Sequence, residues 1–179
     1  MIKREKGFSL IELLIVVAII LIIAAIAIPN LIRSRMAANE ASAVGSIRTI
    51  NTAEITFNTT YSDGFAKDLL WLGGAAGAKA SCANALLIDS VLGGLTGVNQ
   101  KSGYNFAVQA GTVDVTIVPA NCTAGSTDGY TATAVPVTPG TTGQRSFCSD
   151  ASGVIRTNPT GGAPGVTAPL CTDVGVLGQ

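Results

Sequence analysis

Two sets of side chains in this sequence could do chemistry. Glu12 is a single carboxylate inside an apolar run, where it would need a cation, and four cysteines that could form disulfides or bind a metal follow much later. None of the 179 residues is histidine, which excludes Ser-His-Asp and Cys-His nucleophiles and histidine zinc sites. The aspartates are scattered, and no two are spaced as a catalytic pair. We therefore expect no enzyme, no catalytic residue, no metal site and no cofactor.

Glu12 is the only charged residue from Phe8 to Ile28. As a helix, this run would span about 31 Å, which is the thickness of a bilayer's hydrocarbon core. A carboxylate inside a membrane helix costs about 2.5–3.5 kcal/mol, so we expect it to have a partner. Arg4 or Lys6 could reach it from the same chain, and a cation on another copy of the chain could reach it in an assembly.

The residues that flank the run predict its orientation. Lys3, Arg4 and Lys6 precede it, and a basic flank favours a cytoplasmic N-terminus. The run is longer than the apolar core of a cleavable secretory signal. We therefore expect a single membrane anchor, and a cleavable signal is the alternative that composition leaves open.

The stretch from Lys6 to Ile20, KGFSLIELLIVVAII, resembles the prepilin signature of type IV pilins and of type II secretion pseudopilins. That signature is a short basic leader that ends in glycine, then Phe, then a Glu four residues on, then an apolar helix. Gly7, Phe8 and Glu12 match it, and Pro29 matches the proline near the end of the family's helix. Beyond Pro29 only the layout is similar.

The resemblance implies that a prepilin peptidase cuts between Gly7 and Phe8 and methylates the Phe8 amine. It implies a homopolymer built through the N-terminal helix, in which the Phe8 amine of one copy pairs with Glu12 of another. The precursor would be a single-pass inner-membrane protein with a cytoplasmic N-terminus, handled by the inner-membrane pilus assembly machinery. The mature protein would lie in an extracellular pilus that serves adhesion and twitching motility. The alternative is a pseudopilin, which forms a periplasmic piston in type II secretion.

The pattern of the whole chain predicts an α+β fold with one long helix on an antiparallel sheet. In the helix, Pro29 is expected to introduce a kink. An apolar stripe is expected to pack on the sheet, at Ala37, Ala41, Val44, Ile47, Ile50 and Phe57. Charged residues are expected on the rest of its surface, at Arg33, Arg35, Glu40, Arg48 and Glu54.

The chain is expected to fall into six segments. They are the leader 1–7, the hydrophobic helix 8–29, the amphipathic helix 30–61, the connecting region 62–101, the sheet 102–157 and the Gly/Pro-rich tail 158–179. Short helical pieces are expected at 65–72 and 83–92. Alternating residues predict about four or five strands, with a hairpin formed by 104–108 and 113–117 and further strands at 129–137, 145–149 and 154–156. The tail is expected to be a loop.

The cysteines Cys82, Cys122, Cys148 and Cys171 all follow the membrane segment, in what should be an oxidising compartment. Four cysteines allow three pairings. We favour Cys82–Cys122 with Cys148–Cys171, because each bridge joins a strand or helix to an otherwise loose segment. A zinc site or a redox pair is disfavoured because no C-x-x-C spacing occurs. The formal net charge is zero and the cations are dispersed, so no specific nucleic-acid partner is expected.

Overall fold

A computed structural model describes residues 7–61, 64–74, 77–94, 99–111, 127–164, 166–167, 170–171 and 175–176. Its first element is helix α1, Leu10–Tyr61, which ends at the residue that the sequence predicts. The chain divides into two compact units, Met1–Arg35 and Met36–Gln179. Helix α1 contributes residues to both units.

The first unit contains the apolar half of α1, which we define as residues 10–32. Every one of these side chains except Ala24 is exposed, including Leu14 at 60% and Ile20 at 57%. By length and composition, α1 is able to cross a membrane. The helix continues through Pro29, and a kink there stays a prediction.

The second unit is an α+β structure, as the sequence predicts. A short helix, α2, covers Leu69–Leu72. The strands are β1 Gln100–Lys101, β2 Tyr104–Ala110, β3 Tyr130–Pro136, β4 Ser146–Asp150, β5 Ile155–Asn158, β6 Val166–Thr167, β7 Leu170–Cys171 and β8 Gly175–Val176. Six of them form one sheet in the order β1-β2-β3-β4-β5-β8, and β6 pairs with β7 separately. All pairings are antiparallel.

The core of this unit lies between the sheet and the packed half of α1, which we define as residues 40–57. Ile47, Ile50 and Phe57 are fully buried there, as predicted. Strand β2 alternates buried and exposed residues, because one face of the strand meets the core and the other meets solvent. Strands β3 and β4 are buried almost throughout, so these central strands lack the alternation that usually identifies a strand.

The predicted stripe on α1 is wrong at its N-terminal end, and two of the charged residues expected on the rest of the helix surface are buried. Ala37 and Ala41 are exposed, whereas Glu40 and Glu54 are buried at 8% and 0% exposure. The buried face is rotated toward the two glutamates, because each of their carboxylates accepts at least one backbone N–H from outside the helix. Burial of a carboxylate is tolerated only when such partners exist.

Several expectations for the rest of the unit also change. Residues 83–92 contain no helix and form a bridge and turns instead, and the piece expected at 65–72 is helical only over α2. The tail contributes β6, β7 and β8 rather than a continuous loop. Strand β2 pairs along its full length with β3; the predicted hairpin partner, 113–117, lies outside the described residues.

Candidate functional site

The candidate site is the start of α1, where the sequence predicts processing and assembly. Residues 7–9 are not helical, and α1 begins at Leu10. The Ser9 carbonyl accepts the Leu13 N–H at 3.2 Å, which makes Ser9 the residue that caps the helix. The Ser9 N–H donates to Glu12 Oε2 at 2.9 Å. A serine followed three residues later by a glutamate that bonds back to its N–H is half of a capping box.

This cap leaves the backbone on its N-terminal side free of helical hydrogen bonds. Phe8 is 77% exposed, and a methyl group placed on Gly7 would meet nothing within 4 Å. Gly7 and Phe8 are therefore both exposed outside the helix, and the peptide bond between them is accessible from solvent. Arg4 and Lys6, the same-chain partners considered for Glu12, lie outside the described residues.

Glu12 is exposed and makes its hydrogen bond to its own helix terminus. A carboxylate in the first turn is stabilised by the positive end of the helix dipole as well as by this bond. One carboxylate can accept about four hydrogen bonds, so the contact with Ser9 leaves capacity for a further donor. Pairing with the Phe8 amine of another copy stays a prediction.

Glu40, on the packed half of α1, is a second glutamate with a positioning role. Its Oε1 accepts the N–H groups of Gln144 at 2.9 Å and Arg145 at 3.1 Å. Its Oε2 accepts Nε and Nη2 of Arg145 at 2.9 and 2.7 Å. Burial alone would raise the pKa of Glu40, but the bonds from Gln144 and Arg145 outweigh it and lower the pKa. The carboxylate therefore fixes the segment before β4 against the helix.

Glu54 has the opposite environment. Its Oε2 accepts the Ala66 N–H at 2.8 Å, and its Oε1 has no hydrogen-bond partner among the described residues. Burial raises the pKa of Glu54 to about 8 against the Ala66 hydrogen bond, with a further upward contribution from the charge of Asp68. The carboxyl is therefore mostly protonated at neutral pH.

The sequence analysis missed both buried glutamates, although a signal was present. Glu40 and Glu54 each lie seven residues from Ile47, and this spacing places all three on one face of a helix. We had expected charge alone to turn the two side chains toward solvent. The heptad relation to a core isoleucine is the stronger indicator.

A polar network joins α1 to the centre of the sheet. The Tyr130 hydroxyl donates to Asn51 Oδ1 at 3.1 Å, and Asn51 Nδ2 donates to Ser149 Oγ at 2.8 Å. Ser149 Oγ in turn donates to the Val154 carbonyl at 3.2 Å. Burial, followed by the charges of Glu54 and Asp150, raises the pKa of Tyr130. Because each group needs its partner, this network specifies how the helix sits on β3 and β4.

The disulfide between Cys148 and Cys171 is present and joins β4 to β7, as predicted. It ties part of the tail to the sheet, and the Asp150 carboxylate reinforces the tie by accepting the Cys171 N–H at 3.4 Å. Cys82 is also disulfide-bonded. Its predicted partner, Cys122, lies outside the described residues. Within the described part of the chain, no cluster of three or more metal-ligating side chains occurs.

Comparison with known proteins gives matches that agree with this N-terminal geometry. Residues 2–28 match the family model of the prokaryotic N-terminal methylation motif. The chain is 45% identical over 69 residues to the type IV major pilin protein PilA of Myxococcus xanthus, which is 37% of this chain and 31% of that protein. It is 60% identical over 38 residues to the type IV wide pilus major component PilA4 of Thermus thermophilus, which is 21% of this chain and 29% of that protein. No solved structure gives a significant match.

The matched regions thus span less than a third of either relative. They cover 37% and 21% of this chain, so the likeness concerns a limited part of it. Within that limit, residues 2–28 carry a prokaryotic N-terminal methylation motif, and part of the chain is similar to type IV major pilins.

Proposed function

We propose that this chain is the structural subunit of a type IV pilus. It is made as a single-pass precursor in the inner membrane, cut by prepilin peptidase between Gly7 and Phe8, and methylated on the new Phe8 amine. The mature chain then polymerises through α1 into a surface filament that serves adhesion and twitching motility. The observation that carries the proposal is the exposed apolar half of α1, directly preceded by an accessible peptide bond within a methylation motif.

The apolar half of α1 needs surroundings other than water. Large apolar side chains each gain about 1.5–3 kcal/mol when they leave water, and nearly all of those at 10–32 are exposed. A membrane supplies such surroundings for the precursor, and neighbouring copies of the same helix supply them in a filament. The same segment can therefore serve as the anchor before assembly and as the filament core afterwards.

Processing changes the chemistry beside Glu12. In the uncut chain the Phe8 nitrogen is a peptide group, and cleavage converts it to a cationic amine. Because the capping bond from Ser9 uses only part of the capacity of the Glu12 carboxylate, an amine from a neighbouring copy can join it without uncapping the helix. This pairing would neutralise both charges in the apolar interior of the filament.

The second unit supplies the surface of the proposed filament. The Cys148–Cys171 disulfide holds part of the tail to the body of the fold, and the hydrogen bonds that Gln144 and Arg145 donate to Glu40 hold the segment before β4. A disulfide of this kind contributes about 2–4 kcal/mol of stability. Such covalent ties suit a protein that works outside the cell.

The proposal is tested by intact mass and N-terminal sequencing of material sheared from cells that express the full chain. We expect an abundant chain that begins at methylated Phe8. The variant Gly7→Val should block cleavage, because a branched side chain would fill the open space at the cut. Gly45→Val is the matched control, since Gly45 is also exposed with nothing within 4 Å of an added methyl.

Other results of the same experiment discriminate between functions. A processed chain that stays in the cell envelope, with protein secretion lost on deletion, would favour the pseudopilin. A wild-type chain that still begins at Met1 would contradict the processing step and the assembly role of Glu12 together.

A further inference from the structure

The carboxyl of Glu54 lies where α1 meets the segment that follows it. We call residues 64–68, which precede α2, the connecting segment. Glu54 is completely buried, and its bond from the Ala66 N–H links the helix to this segment at 2.8 Å. Ala66 is itself fully buried. This hydrogen bond joins the packed half of α1 directly to the connecting segment.

Two further contacts hold the same segment to the sheet side of the core. Phe65 and Thr127 exchange backbone hydrogen bonds of 2.8 and 3.0 Å. The Phe65 ring packs against the Tyr130 ring, with centroids 5.0 Å apart. Helix α2, which follows this segment, is held separately because Leu69, Trp71 and Leu72 are buried in the core. Residues 64–68 themselves are fixed by a few local contacts rather than by a long strand ladder, and segments of this kind open more easily than sheets do.

The charges that face Glu54 do not favour its ionised form. On the connecting segment, Asp68 adds negative charge. On β3, the Tyr130 phenol interacts with the Glu54 charge and is itself held in its neutral form. Lys67, the cation of that segment, lies over the Trp71 ring at 4.8 Å. Among the described residues, no cation forms an ion pair with Glu54. The carboxylate of Asp63, which is close to this segment in the sequence, lies outside the described residues.

The two protonation states of Glu54 therefore have different consequences. The neutral carboxyl accepts the Ala66 N–H and fits its buried surroundings. The ionised carboxylate would stay in low-dielectric surroundings with one oxygen unpartnered among the described residues and with Asp68 nearby. Opening of the connecting segment would let that charge reach water.

We propose that protonated Glu54 is a latch that holds the connecting segment against α1, and that loss of its proton releases the segment while the sheet stays folded. The latch operates near neutral pH because burial raises the pKa of Glu54 to about 8. No histidine is present to titrate in the same range. The device does not depend on whether the chain forms a filament.

Hydrogen exchange of the full chain in detergent micelles tests the latch. The equilibrium constant for opening should rise about tenfold per pH unit between 5 and 7.5, because the open state loses a proton that the closed state keeps. The protection factor of the Ala66 amide, corrected for intrinsic exchange, should fall by the same factor and level off above pH 8. In Glu54→Gln the amide keeps an acceptor for Ala66 but cannot ionise, so the profile should be flat.

Glu40→Gln is the matched control, because it makes the same change at the other buried glutamate of α1 and should keep the wild-type profile at Ala66. Urea distinguishes local from global opening, since only global unfolding exposes much surface. The Ala66 amide should be nearly insensitive to low urea concentrations, unlike the amides of Ala132 and Ala134 in β3. A urea dependence shared with β3, or equal pH profiles in wild type and Glu54→Gln, would overturn the latch.

A second measurement covers the case in which Glu54→Gln does not fold. The carboxyl carbon of Glu54 in the wild-type chain should titrate with a midpoint between 7 and 9 in a carbon-13 NMR experiment, with the Ala66 amide shift following it. A midpoint below 6 would show that the carboxyl is already ionised in the closed state, and the latch would be excluded.

Discussion

The two halves of α1 both carry large apolar side chains, but the surroundings of those side chains are opposite. In the apolar half, large side chains such as Leu14 are exposed, whereas in the packed half Ile47 and Phe57 are fully buried. The packed half is stabilised by the chain's own sheet, so its interactions are complete within one molecule. The side chains of the apolar half are exposed instead, and in the proposed function a membrane or other copies of the helix supply their contacts.

The glutamates of α1 show the same difference. Glu12 is exposed, and among the described residues its hydrogen bond joins it to the start of its own helix. Glu40 and Glu54 are buried and bond to backbone from other parts of the second unit. The two buried glutamates also differ from each other. The pKa of Glu40 is lowered, because hydrogen bonds from Gln144 and Arg145 outweigh the effect of burial. The pKa of Glu54 is raised by burial. Residue type alone therefore does not say what a charged residue does on this helix.

The largest effect should come from truncating one apolar side chain in each half. Phe57→Ala should destabilise the second unit by about 3–5 kcal/mol, because it removes a buried aromatic ring and leaves a cavity. Leu14→Ala should change the free energy of unfolding of the second unit by less than about 0.5 kcal/mol, since Leu14 is exposed. Urea unfolding of the full chain in micelles, followed by the fluorescence of its single Trp71, measures both. Equal losses in the two variants would contradict the division of α1 into two halves.

The outcome for the packed half shows what sequence periodicity can and cannot predict. Ile47, Ile50 and Phe57 were predicted correctly, because their spacing is a local property of the helix. The burial of Glu40 and Glu54 was not predicted. The backbone N–H groups that donate to their carboxylates lie 104 and 12 residues away along the chain. Only the folded backbone brings those N–H groups to the carboxylates.

The candidate site at the start of α1 was predicted in more detail than the sheet. Gly7, Phe8 and Glu12 lie in a short contiguous motif, so residue types and spacing are sufficient to recognise it. The strands β6 and β8 have two residues each and lie among glycines and prolines. Their pairing depends on tertiary contacts that local patterns do not encode.

A smaller effect is expected at Glu40. Glu40→Gln removes the charge and should destabilise the second unit by about 1–3 kcal/mol near pH 6, because Arg145 loses its ionic partner. Since the folded-state pKa of Glu40 is lowered, its contribution is present above the ordinary carboxyl pKa and is lost as the pH falls through the lowered value.

Urea unfolding at pH 6 and pH 3 measures this contribution. The difference in the free energy of unfolding between wild type and Glu40→Gln should be large at pH 6. It should be smaller at pH 3, because acid protonates the wild-type carboxylate. The pH dependence at Glu54, the latch residue, has the opposite direction. Because its folded-state pKa is raised, the stability that it contributes is lost as the pH rises from about 4.5 toward 8. A gap at Glu40 that is the same at both pH values would mean that the ion pair contributes nothing beyond packing.

The smallest effect concerns the start of the apolar half. Glu12→Gln weakens the hydrogen bond that the Ser9 N–H donates, and Ser9→Ala removes a good capping residue. Either change should reduce the stability of the first helical turn by about 1 kcal/mol. Because the side chains of the apolar half are exposed, the loss should be confined to fraying at Leu10. Carbon-13 shifts of residues 10–13 in micelles should move toward coil values, while the Trp71 unfolding transition stays unchanged. A shift of that transition by either variant would mean that the two halves of α1 are coupled, and the apolar half would then have to be treated as part of the folded unit rather than as a segment whose stability comes from its surroundings.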